Sequence, residues 1–586
     1  MDQKRLFLAI AISVAILLGF QMLLPAPKPV VPPPVASTAP ATAGIPSAPA
    51  PPAGAVTGAV TGASATGAVP RDVPRLTIAG ARVEGSISLL GARIDDLVLK
   101  GYRETVKPDA KLVRLLEPRS EKQPYYIQLG WSADAGTTAK VPDSDTLWAG
   151  SGTVAPGETG TLRWNNGEGL IFEIEVGVDR DFMFSLHQRV RNTTGAAVAL
   201  HPWARIRRDY KPHVAGYYIL HEGMLGMLDG RLKETTYDNA KSEGDKKAGV
   251  ALEQTSPGGW IGFTDKYWLT ALVPDQKTVF TATFRHATEA GADRYQADFV
   301  ARDAVVVPAG GVAETLTHAF AGAKEVHVLD RYEAAFGIPS FDKAVDFGWF
   351  YFITKPFFYA LDWLFGITGN FGIAILIFTL FIKGLFFPLA NKSYRSMSKM
   401  KLLAPKMTAL REQYKEEPQK IQQAMMEMYR AEKVNPASGC LPMIIQIPVF
   451  FSLYKVIFTT IEMRHAPFFG WIRDLSDIDP TNVFTLFGLL PYDPTVLPVF
   501  GQFLHLGVWP LVMGVTMWGQ MKLNPPPPDP IQAKIFAWMP VMFTFMLASF
   551  PAGLVIYWTW NNLLTIGQQW LIMRQTTLDK PQAARV

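Results

Sequence analysis

The sequence has 586 residues, which is too long for one ordinary domain, and 48% of them are hydrophobic. The formal net charge of +5 is small for this length, so the positions of the charges are more informative than their total. A single cysteine, Cys440, excludes an intrachain disulfide and a metal site built from several cysteines. We therefore expect at least two bodies, one in a membrane and one soluble.

The N-terminal 70 residues predict a membrane anchor followed by a tether. Lys4 and Arg5 precede a long apolar run, and cations at this position favour a cytoplasmic N-terminus. The run is longer than the hydrophobic region of most cleaved signal peptides, which favours a retained transmembrane anchor over residues 1–24. Residues 25–70 are almost wholly Pro, Ala, Gly, Val, Thr and Ser, so they predict a flexible linker that cannot bury a core.

Residues 71–335 predict a large all-β sandwich outside the cytoplasm. Apolar and polar residues alternate in FEIEV, where Phe172 and Ile174 share one face and Glu173 lies on the other. The same alternation over residues 295–299 predicts another half-buried strand. Turn signals separate these runs, and no comparably long helical pattern intervenes, which favours antiparallel sheets.

Two segments then lead into the membrane. Residues 341–366 are rich in aromatic residues but still charged and interrupted by Lys355-Pro356, so we expect an amphipathic helix at the membrane interface. Residues 371–390 predict a transmembrane helix with one cation, Lys383, inside it. Such a lysine costs roughly 2.5 to 3.5 kcal/mol on insertion scales, so it either snorkels to the membrane edge or serves a polar cavity.

Residues 391–437 predict a cytoplasmic helical hairpin. Ten Lys and Arg against five Glu mark the segment as cytoplasmic, and Glu416-Glu417-Pro418 divides it into two helices. Apolar residues recur at spacings of three and four: Met397, Met400, Leu403 and Met407 in the first helix, Met425 and Met428 in the second. Packing between the two helices explains this stripe, and a surface that grips a substrate is the alternative.

Four further spans complete six predicted crossings, with both termini inside. The C-terminal segments are the spans 439–461, 497–521, 535–550 and 554–573, an acid-rich external loop 462–496, a cytoplasmic loop 522–534 and a cytoplasmic tail 574–586.

Enzymatic signatures are missing from the sequence. It has no Walker A loop, HExxH, CxxC or dinucleotide glycine fingerprint, so we expect no cofactor, no metal and no enzyme activity. Glu173 or Glu175 could be a catalytic acid in a sugar-active sandwich, but strand alternation explains both as solvent-facing residues.

Several predicted spans carry polar residues that lipid would leave without hydrogen bonds: Lys383, Gln446, Asn561, Asn562 and Gln568. Contacts between helices explain amides, but no Asp or Glu within these spans can neutralise Lys383. An unpaired cation in a hydrated hollow would attract an acidic passenger. A secondary transporter of a small anion is the alternative, although the internal repeats expected of one are not evident.

Residues 381–407, 431–454, 513–517 and 550–572 resemble the YidC-type membrane protein insertases of Gram-negative bacteria, and residues 259–274 extend the resemblance outside the membrane. The resemblance implies a five-helix core with a hydrophilic groove that opens to the cytoplasm and the lipid. It also implies a periplasmic β-supersandwich.

Site residues are implied by the same resemblance. Lys383 occupies the position of the groove's basic residue, which is usually Arg in the family, and Lys lacks the planar fork of Arg. The groove and substrate-contact positions correspond to Phe378, Thr379, Gln446, Ile447, Pro448, Tyr557, Trp558 and Asn561.

The resemblance also implies partners and location. We expect an insertase and chaperone of the inner membrane whose partners are nascent membrane proteins, the Sec translocon, the ribosome, signal-recognition targeting components and the lipid bilayer. Hydrophobic transfer of the passenger would drive its release.

Overall fold

The computed structural model describes residues 73–214, 220–414, 417–432, 441–490, 492, 494–497, 501–524 and 530–578. The anchor predicted at residues 1–24 and the linker at 25–70 lie outside this part of the chain, as do Cys440 and most of the predicted tail.

The first half of the described chain is built from strands. Their bounds are Arg75–Ala79 (β1), Val83–Ser88 (β2), Arg93–Arg103 (β3), Leu112–Leu116 (β4), Tyr125–Ala133 (β5), Ala149–Ser151 (β6), Gly160–Asn165 (β7), Leu170–Val178 (β8), Met183–Asn192 (β9), Val198–Arg208 (β10), Gly223–Leu228 (β11), Arg231–Thr236 (β12), Val250–Pro257 (β13), Trp260–Thr264 (β14), Trp268–Pro274 (β15), Val279–Glu289 (β16), Ala292–Ala301 (β17), Val305–Val307 (β18) and Val312–Ala323 (β19).

These strands form two antiparallel sheets. The ten-stranded sheet runs β1-β2-β3-β5-β10-β17-β16-β13, with β4 beside β3 and β18 beside β10. The nine-stranded sheet runs β12-β11-β14-β15-β19-β9-β8-β7-β6. Apolar residues of both sheets share one hydrophobic core, so the prediction of an all-β sandwich is confirmed.

The predicted alternation holds on β8 but not on β17. Phe172 and Ile174 are buried on β8, while Glu173 lies toward solvent and forms an ion pair with Arg189 at 2.9 Å. The half-buried expectation was wrong for β17, where the polar residues between Tyr295, Ala297 and Phe299 are also buried.

The buried polar side chains of β17 pair with one another and with a side chain of β16. Gln296 Nε2 donates to Asp298 Oδ1 at 2.7 Å, and Arg285 lies 3.2 Å from the same oxygen. Partners of opposite charge and hydrogen-bonding amides let these groups leave water. Burial nevertheless raises the pKa of Asp298, and the Arg285 charge opposes that shift.

Two helices accompany the sandwich. Helix α1, Tyr237–Lys246, follows β12 and was not expected from the sequence; Thr236 caps it by accepting a bond from Asn239 N at 3.2 Å. Helix α2, Val326–Phe336, follows β19 and ends at Gly337, whose φ of 64° stops the helix.

The predicted interfacial helix differs in its bounds and in the role of its proline. A 3-10 turn at Phe341–Ala344 comes first, and the helix itself, α3, spans Tyr351–Thr368 with Pro356 inside it. Its outward side is apolar: Phe352 is 71% exposed, Trp363 67% and Ile367 64%. An aromatic face of this kind suits a membrane interface.

A sharp bend divides the span predicted at residues 371–390. Helix α4 covers Phe371–Leu385, helix α5 covers Phe387–Gln413, and the two are bent by 67°. Pro388 near the start of α5 explains the bend, because its ring and missing N–H cannot continue the hydrogen-bond ladder of α4. Helix α6, Pro418–Ala431, completes the predicted hairpin.

Four more helices finish the bundle: Leu441–Thr459 (α7), Val508–Leu523 (α8), Pro530–Leu547 (α9) and Ala552–Leu578 (α10). The helix predicted at residues 497–521 is wrong in its first part, where a 3-10 turn at Gly501–Leu504 precedes α8. In the described chain, no single helix meets the length and hydropathy expected of a complete membrane span, whereas Phe371–Leu385 with Phe387–Met400 meets them as a bent pair.

Candidate functional site: a lysine-bearing groove

A small groove lies among helices α4, α5, α7 and α10. Its lining residues are Ile382, Lys383, Phe386, Leu389, Ala390, Tyr394, Ile445, Gln446, Val449 and Gln568. Most of them are apolar, so the lysine and the two glutamine side chains are the strongly polar groups of this wall.

Lys383 is half-buried and bonds to a neutral partner. Its Nζ donates to Thr565 Oγ1 on α10 at 2.8 Å, and the Thr565 hydroxyl in turn donates to the Asn561 carbonyl at 2.7 Å. No carboxylate in the described ranges lies within ion-pair distance of Lys383. The hydroxyl therefore orients the ammonium without neutralising its charge.

The bend after Leu385 shapes the groove. It turns the first residues of α5 back toward α10, where the buried Tyr394 lies against Thr565. Elsewhere on α10, Trp560 Nε1 donates to the Leu376 carbonyl of α4 at 3.1 Å and holds α10 against α4. A straight helix through Phe386 would carry Tyr394 away from the lysine.

A second polar pair joins α7 to α10. Gln446 Nε2 donates to the Tyr557 hydroxyl at 2.5 Å, and Tyr557 is buried. In an apolar environment each of these groups needs a partner, so the pair positions the two helices and keeps an amide at the groove wall.

Only part of the predicted residue set meets at the groove. Lys383 and Gln446 line the groove. Tyr557 does not line it but accepts a hydrogen bond from Gln446, which does. Thr379 is buried and donates to the Ile375 carbonyl of its own helix at 2.6 Å.

The other predicted contact residues lie elsewhere. Phe378 is buried with its ring 4.8 Å from Phe357, and the Trp558 ring lies 4.7 Å from Phe450. Ile447 is exposed next to Pro448, and Asn561 is buried behind Thr565.

Sequence reasoning missed Thr565 and Tyr394. Tyr557, Asn561, Thr565 and Gln568 follow one another at spacings of four, four and three, which places them on one face of a helix. This polar stripe is the signal that would have found Thr565. Tyr394 carried no such signal, because it reaches the groove only through the bend.

The predicted Met stripe lies between the two hairpin helices. Leu403, Met407 and Tyr429 are buried together, with Met400, Met425 and Met428 packed around them. The Tyr429 hydroxyl lies 3.6 Å from Met407 Sδ. Met397 is not part of this cluster, and Met426, which is 46% exposed, faces outward.

One group of carboxylates has the spacing of metal ligands in the described part of the chain: Asp330, Glu333 and Asp342. The ammonium of Lys355 already lies 2.9 Å from Asp330 and also bonds to Asp342. A cation is thus supplied by the chain itself, and we assign no metal to this cluster.

Comparison with known proteins identifies the class. Residues 75–360 match the family model described as the YidC periplasmic domain, and residues 363–580 match the model described as the 60Kd inner membrane protein. The division falls within α3, between the sandwich and the helical bundle. These matches define an inner-membrane protein that carries a periplasmic domain.

The relatives identify the family. A membrane protein insertase YidC of Granulibacter bethesdensis is 57% identical over 587 residues and covers 100% of both chains. One of Nitrobacter hamburgensis is 53% identical over 86% of this chain and 83% of its own. The chain belongs to the YidC family of membrane protein insertases, as the sequence resemblance predicted.

A crystal structure of an active YidC insertase with its first transmembrane domain resolved matches 85% of this chain and 93% of its own, at 16% identity and a TM-score of 0.33. The comparisons support the interpretation as an insertase, and they give no support to the alternative of a small-anion transporter.

Proposed function

We propose that the chain inserts nascent membrane proteins into the bacterial inner membrane and helps them fold, by lodging the polar end of the client beside Lys383. The carrying observation is the half-buried ammonium, which bonds to the neutral Thr565 hydroxyl in a groove lined mainly by apolar residues. Two unit charges 4 Å apart attract by about 4 kcal/mol at an effective dielectric constant of 20, so an acidic tail would be held there transiently.

The proposed orientation has six spans, with both termini and the α5–α6 hairpin in the cytoplasm and the sandwich in the periplasm. The excess of Lys and Arg over Glu in residues 391–437 supports this orientation. The spans are the N-terminal anchor, α4, α7, α8, α9 and α10.

The lengths of the helices support a thinned membrane at the groove. Helix α7 has 19 residues, or about 28 Å at 1.5 Å per residue, which nearly matches a hydrocarbon core of about 30 Å. Helix α4 has only 15 residues, or about 22 Å, before the bend. Lipid beside α4 would have to thin, which shortens the dry distance that a polar tail must cross.

An exposed apolar stripe on α7 supports a route for the hydrophobic part of the client. Ile444 is 57% exposed, Ile447 47% and Phe451 42%, and their spacing of three and four puts them on one face. This face begins next to Gln446 in the groove. A client segment would slide along it into lipid, and Phe378, Thr379, Pro448, Tyr557, Trp558 and Asn561 are the further contact positions proposed from the family resemblance.

Transfer of the client into lipid drives its release in this mechanism. Burial of apolar surface contributes roughly 25 cal/mol per Å2, so no nucleotide is required. The hairpin would receive clients from the ribosome and the signal-recognition targeting components, and the same groove would serve clients delivered through the Sec translocon. We propose no enzymatic step.

Reconstitution tests this function. The full chain in liposomes, without ATP, should insert a small single-span client with an acidic external tail. Lys383→Ala should slow that client by at least tenfold and Lys383→Arg by much less, while Lys522→Ala, which removes an exposed cation at the end of α8, should have no effect. Absence of insertion under every condition, or normal insertion by Lys383→Ala, would reject the proposal.

A further inference from the structure

A loop between α7 and α8 is fastened at its base to the start of α8. Asn482 Nδ2 donates to the Leu504 carbonyl at 2.9 Å, and Val483 N donates to the Leu506 carbonyl at 2.9 Å. We call residues 482–490, 492 and 494–497 the rim loop. These two bonds close the base of the loop.

The rim loop exposes apolar side chains. Leu489 is 81% exposed and Val496 76%, and the other exposed members are Leu486, Phe487, Leu490, Tyr492 and Leu497. Asp493 is the one charged residue in the sequence from Asn482 to Leu497. Isolated exposed apolar residues are ordinary, whereas seven exposed apolar residues within the twelve positions 486–497 favour a binding surface.

The backbone of the loop is prepared to leave water. Leu486 N donates to the Val483 carbonyl, Phe487 N to the Asn482 carbonyl and Leu490 N to the Thr485 carbonyl, each at 3.0 Å. The Tyr492 hydroxyl donates to the Phe484 carbonyl at 2.7 Å. A non-helical segment can enter a medium of low dielectric constant only if such groups are already paired.

The backbone also holds the apolar side chains outward. Leu486 has a φ of 48° and Phe487 a φ of 59°, both in the left-handed region that bulky residues rarely adopt. Strain of this kind costs of order 1 to 3 kcal/mol per residue and persists only where the surroundings maintain it. Here the paired Asn482 and Thr485 maintain it.

The loop lies at the rim of the bundle where α4 and α8 begin. The Phe468 ring packs so closely on Gly372, in the first turn of α4, that an added Cβ would lie 2.0 Å from it. The same ring lies 6.4 Å from the Trp509 ring in the first turn of α8. The backbone N–H of Trp509 donates to Asp479 Oδ2 at 2.9 Å. Asp479 comes three residues before the loop base.

The exposed surface continues down α8, which favours lipid over another occupant. Val512 is 39% exposed, Val515 68% and Trp518 55%, and their spacing of three places them near one face of α8. We propose that the rim loop inserts its apolar residues into the outer leaflet, at the boundary between headgroups and acyl chains. The one charge in this stretch of the sequence, Asp493, is acidic, so anionic headgroups would not attract the loop, and the hydrophobic effect predicts binding to neutral lipid.

This inference rests on the proposed orientation, in which the rim loop is external. It adds a lipid contact that the groove does not require, because insertion by way of Lys383 does not involve the loop. An inserted loop would fix the outer end of α8 in the membrane while the groove side of the bundle stays open.

Spin-label accessibility tests the inference. Cys440→Ser removes the single native cysteine, and Leu489→Cys or Val496→Cys then gives one label site in the full chain, reconstituted in phosphatidylcholine liposomes. Both labels should collide more often with lipid-soluble oxygen than with a water-soluble nickel chelate. Their access to the chelate should be at least fivefold below that of a label at Asp477→Cys, an exposed position in the same external segment.

Two results would overturn the inference. Chelate access equal to that of the Asp477→Cys label would put the loop in water, and low access to both reagents would put it against protein, such as a second copy of the chain. An impermeant maleimide applied to intact spheroplasts tests the orientation separately. Protection of Asp477→Cys there would reject the orientation, whereas the oxygen-to-nickel ratio at Leu489→Cys would still report whether the loop is in lipid.

Discussion

Lys383 Nζ lies 2.8 Å from Thr565 Oγ1, so a neutral hydroxyl on α10 orients the groove cation of α4. A carboxylate at this place would cancel the charge and compete with an acidic client. A hydroxyl instead fixes the direction of the ammonium and leaves its charge available.

Thr565→Val should therefore weaken insertion of acid-tailed clients while preserving the fold. A hydrogen bond to a charged group contributes about 1.5 to 3 kcal/mol, and part of that energy orients Lys383 for the client. We expect a loss of about tenfold in the insertion rate, since 1.4 kcal/mol corresponds to one factor of ten. Insertion into liposomes of clients with acidic and neutral tails measures the effect.

Thr559→Val is the matched control for this change. Thr559 is also buried on α10, and its hydroxyl donates to the Val555 carbonyl at 2.9 Å, as Thr565 does to Asn561. Equal losses in both variants would mean that the threonines only stabilise α10, and the proposed role of Thr565 would be incorrect.

The Gln446–Tyr557 pair should couple α7 to α10. Tyr557→Phe leaves the Gln446 amide without its 2.5 Å partner, and Gln446→Leu leaves the buried hydroxyl without its donor. We expect the double variant to lose less stability than the sum of the losses in the two single variants. The difference, the coupling energy, should be about 0.6 to 2 kcal/mol. Thermal unfolding of the four proteins in detergent measures the cycle, and purely additive losses would disprove the coupling.

The chain pattern predicted much of the fold because local physics determines it. Alternation marked Phe172 and Ile174 as core residues of β8, since side chains on a strand face opposite sides by turns. The break near Pro418 also followed from local chemistry, because a proline cannot extend a preceding helix but begins a new one readily.

The features that failed depend on residues distant in the chain. Both faces of β17 are buried, and Asp298 can be buried there because Arg285 of the neighbouring strand β16 pairs with it. Periodicity in the sequence does not report such a partner. Lys383 was visible as a lone cation, but its partner Thr565 lies on another helix and is set by how α4 and α10 pack. The late start of α8 follows from the bonds that join Asn482 and Val483 to Leu504 and Leu506, and such long-range contacts leave no local pattern in the sequence.

Truncation of a buried side chain in the cluster between the hairpin helices should destabilise the hairpin, and truncation of an exposed methionine should not. Met407→Ala removes a buried side chain that touches Tyr429, and large-to-small changes of this type cost about 2 to 5 kcal/mol in a full core. We expect the free energy of unfolding to fall by an amount near the lower end of this range, and trypsin to cleave faster within residues 391–437. Limited proteolysis followed by mass spectrometry measures the cleavage.

Met426→Ala is the control, because Met426 is 46% exposed on the same hairpin. It should leave cleavage and insertion unchanged. If Met426→Ala abolishes insertion while Met407→Ala is harmless, the Met residues grip the client and do not primarily hold the hairpin together.

Glu462 should make the contact between sandwich and bundle sensitive to pH. It follows α7, its Oε1 accepts from Val326 N of α2 at 3.0 Å, and its buried Oε2 has no hydrogen-bond partner among the residues that the structure describes. Burial raises the pKa of Glu462 from its ordinary value of 4.5 to about 8, and the charges of Glu325 and Asp362 add to that shift against the bond from Val326.

The sign of the effect follows from proton release. Between pH 4.5 and about 8 the unfolded chain loses the Glu462 proton, while the folded chain keeps it. The contribution of this group to stability is therefore complete below pH 4.5 and is lost as the pH rises to about 8. Glu462→Gln imitates the neutral acid, so it should match the parent protein near pH 5 and unfold at a higher temperature near pH 8.

Thermal unfolding in detergent from pH 5 to 8.5 measures this difference. Glu84→Gln is the control, since Glu84 is exposed on β2 and should give a curve parallel to that of the parent at every pH. A constant difference between Glu462→Gln and the parent across the range would show that the amide changes packing alone. A lower unfolding temperature for Glu462→Gln only at high pH would mean that the carboxylate is ionised and paired in the folded protein, the opposite of what its buried oxygen indicates.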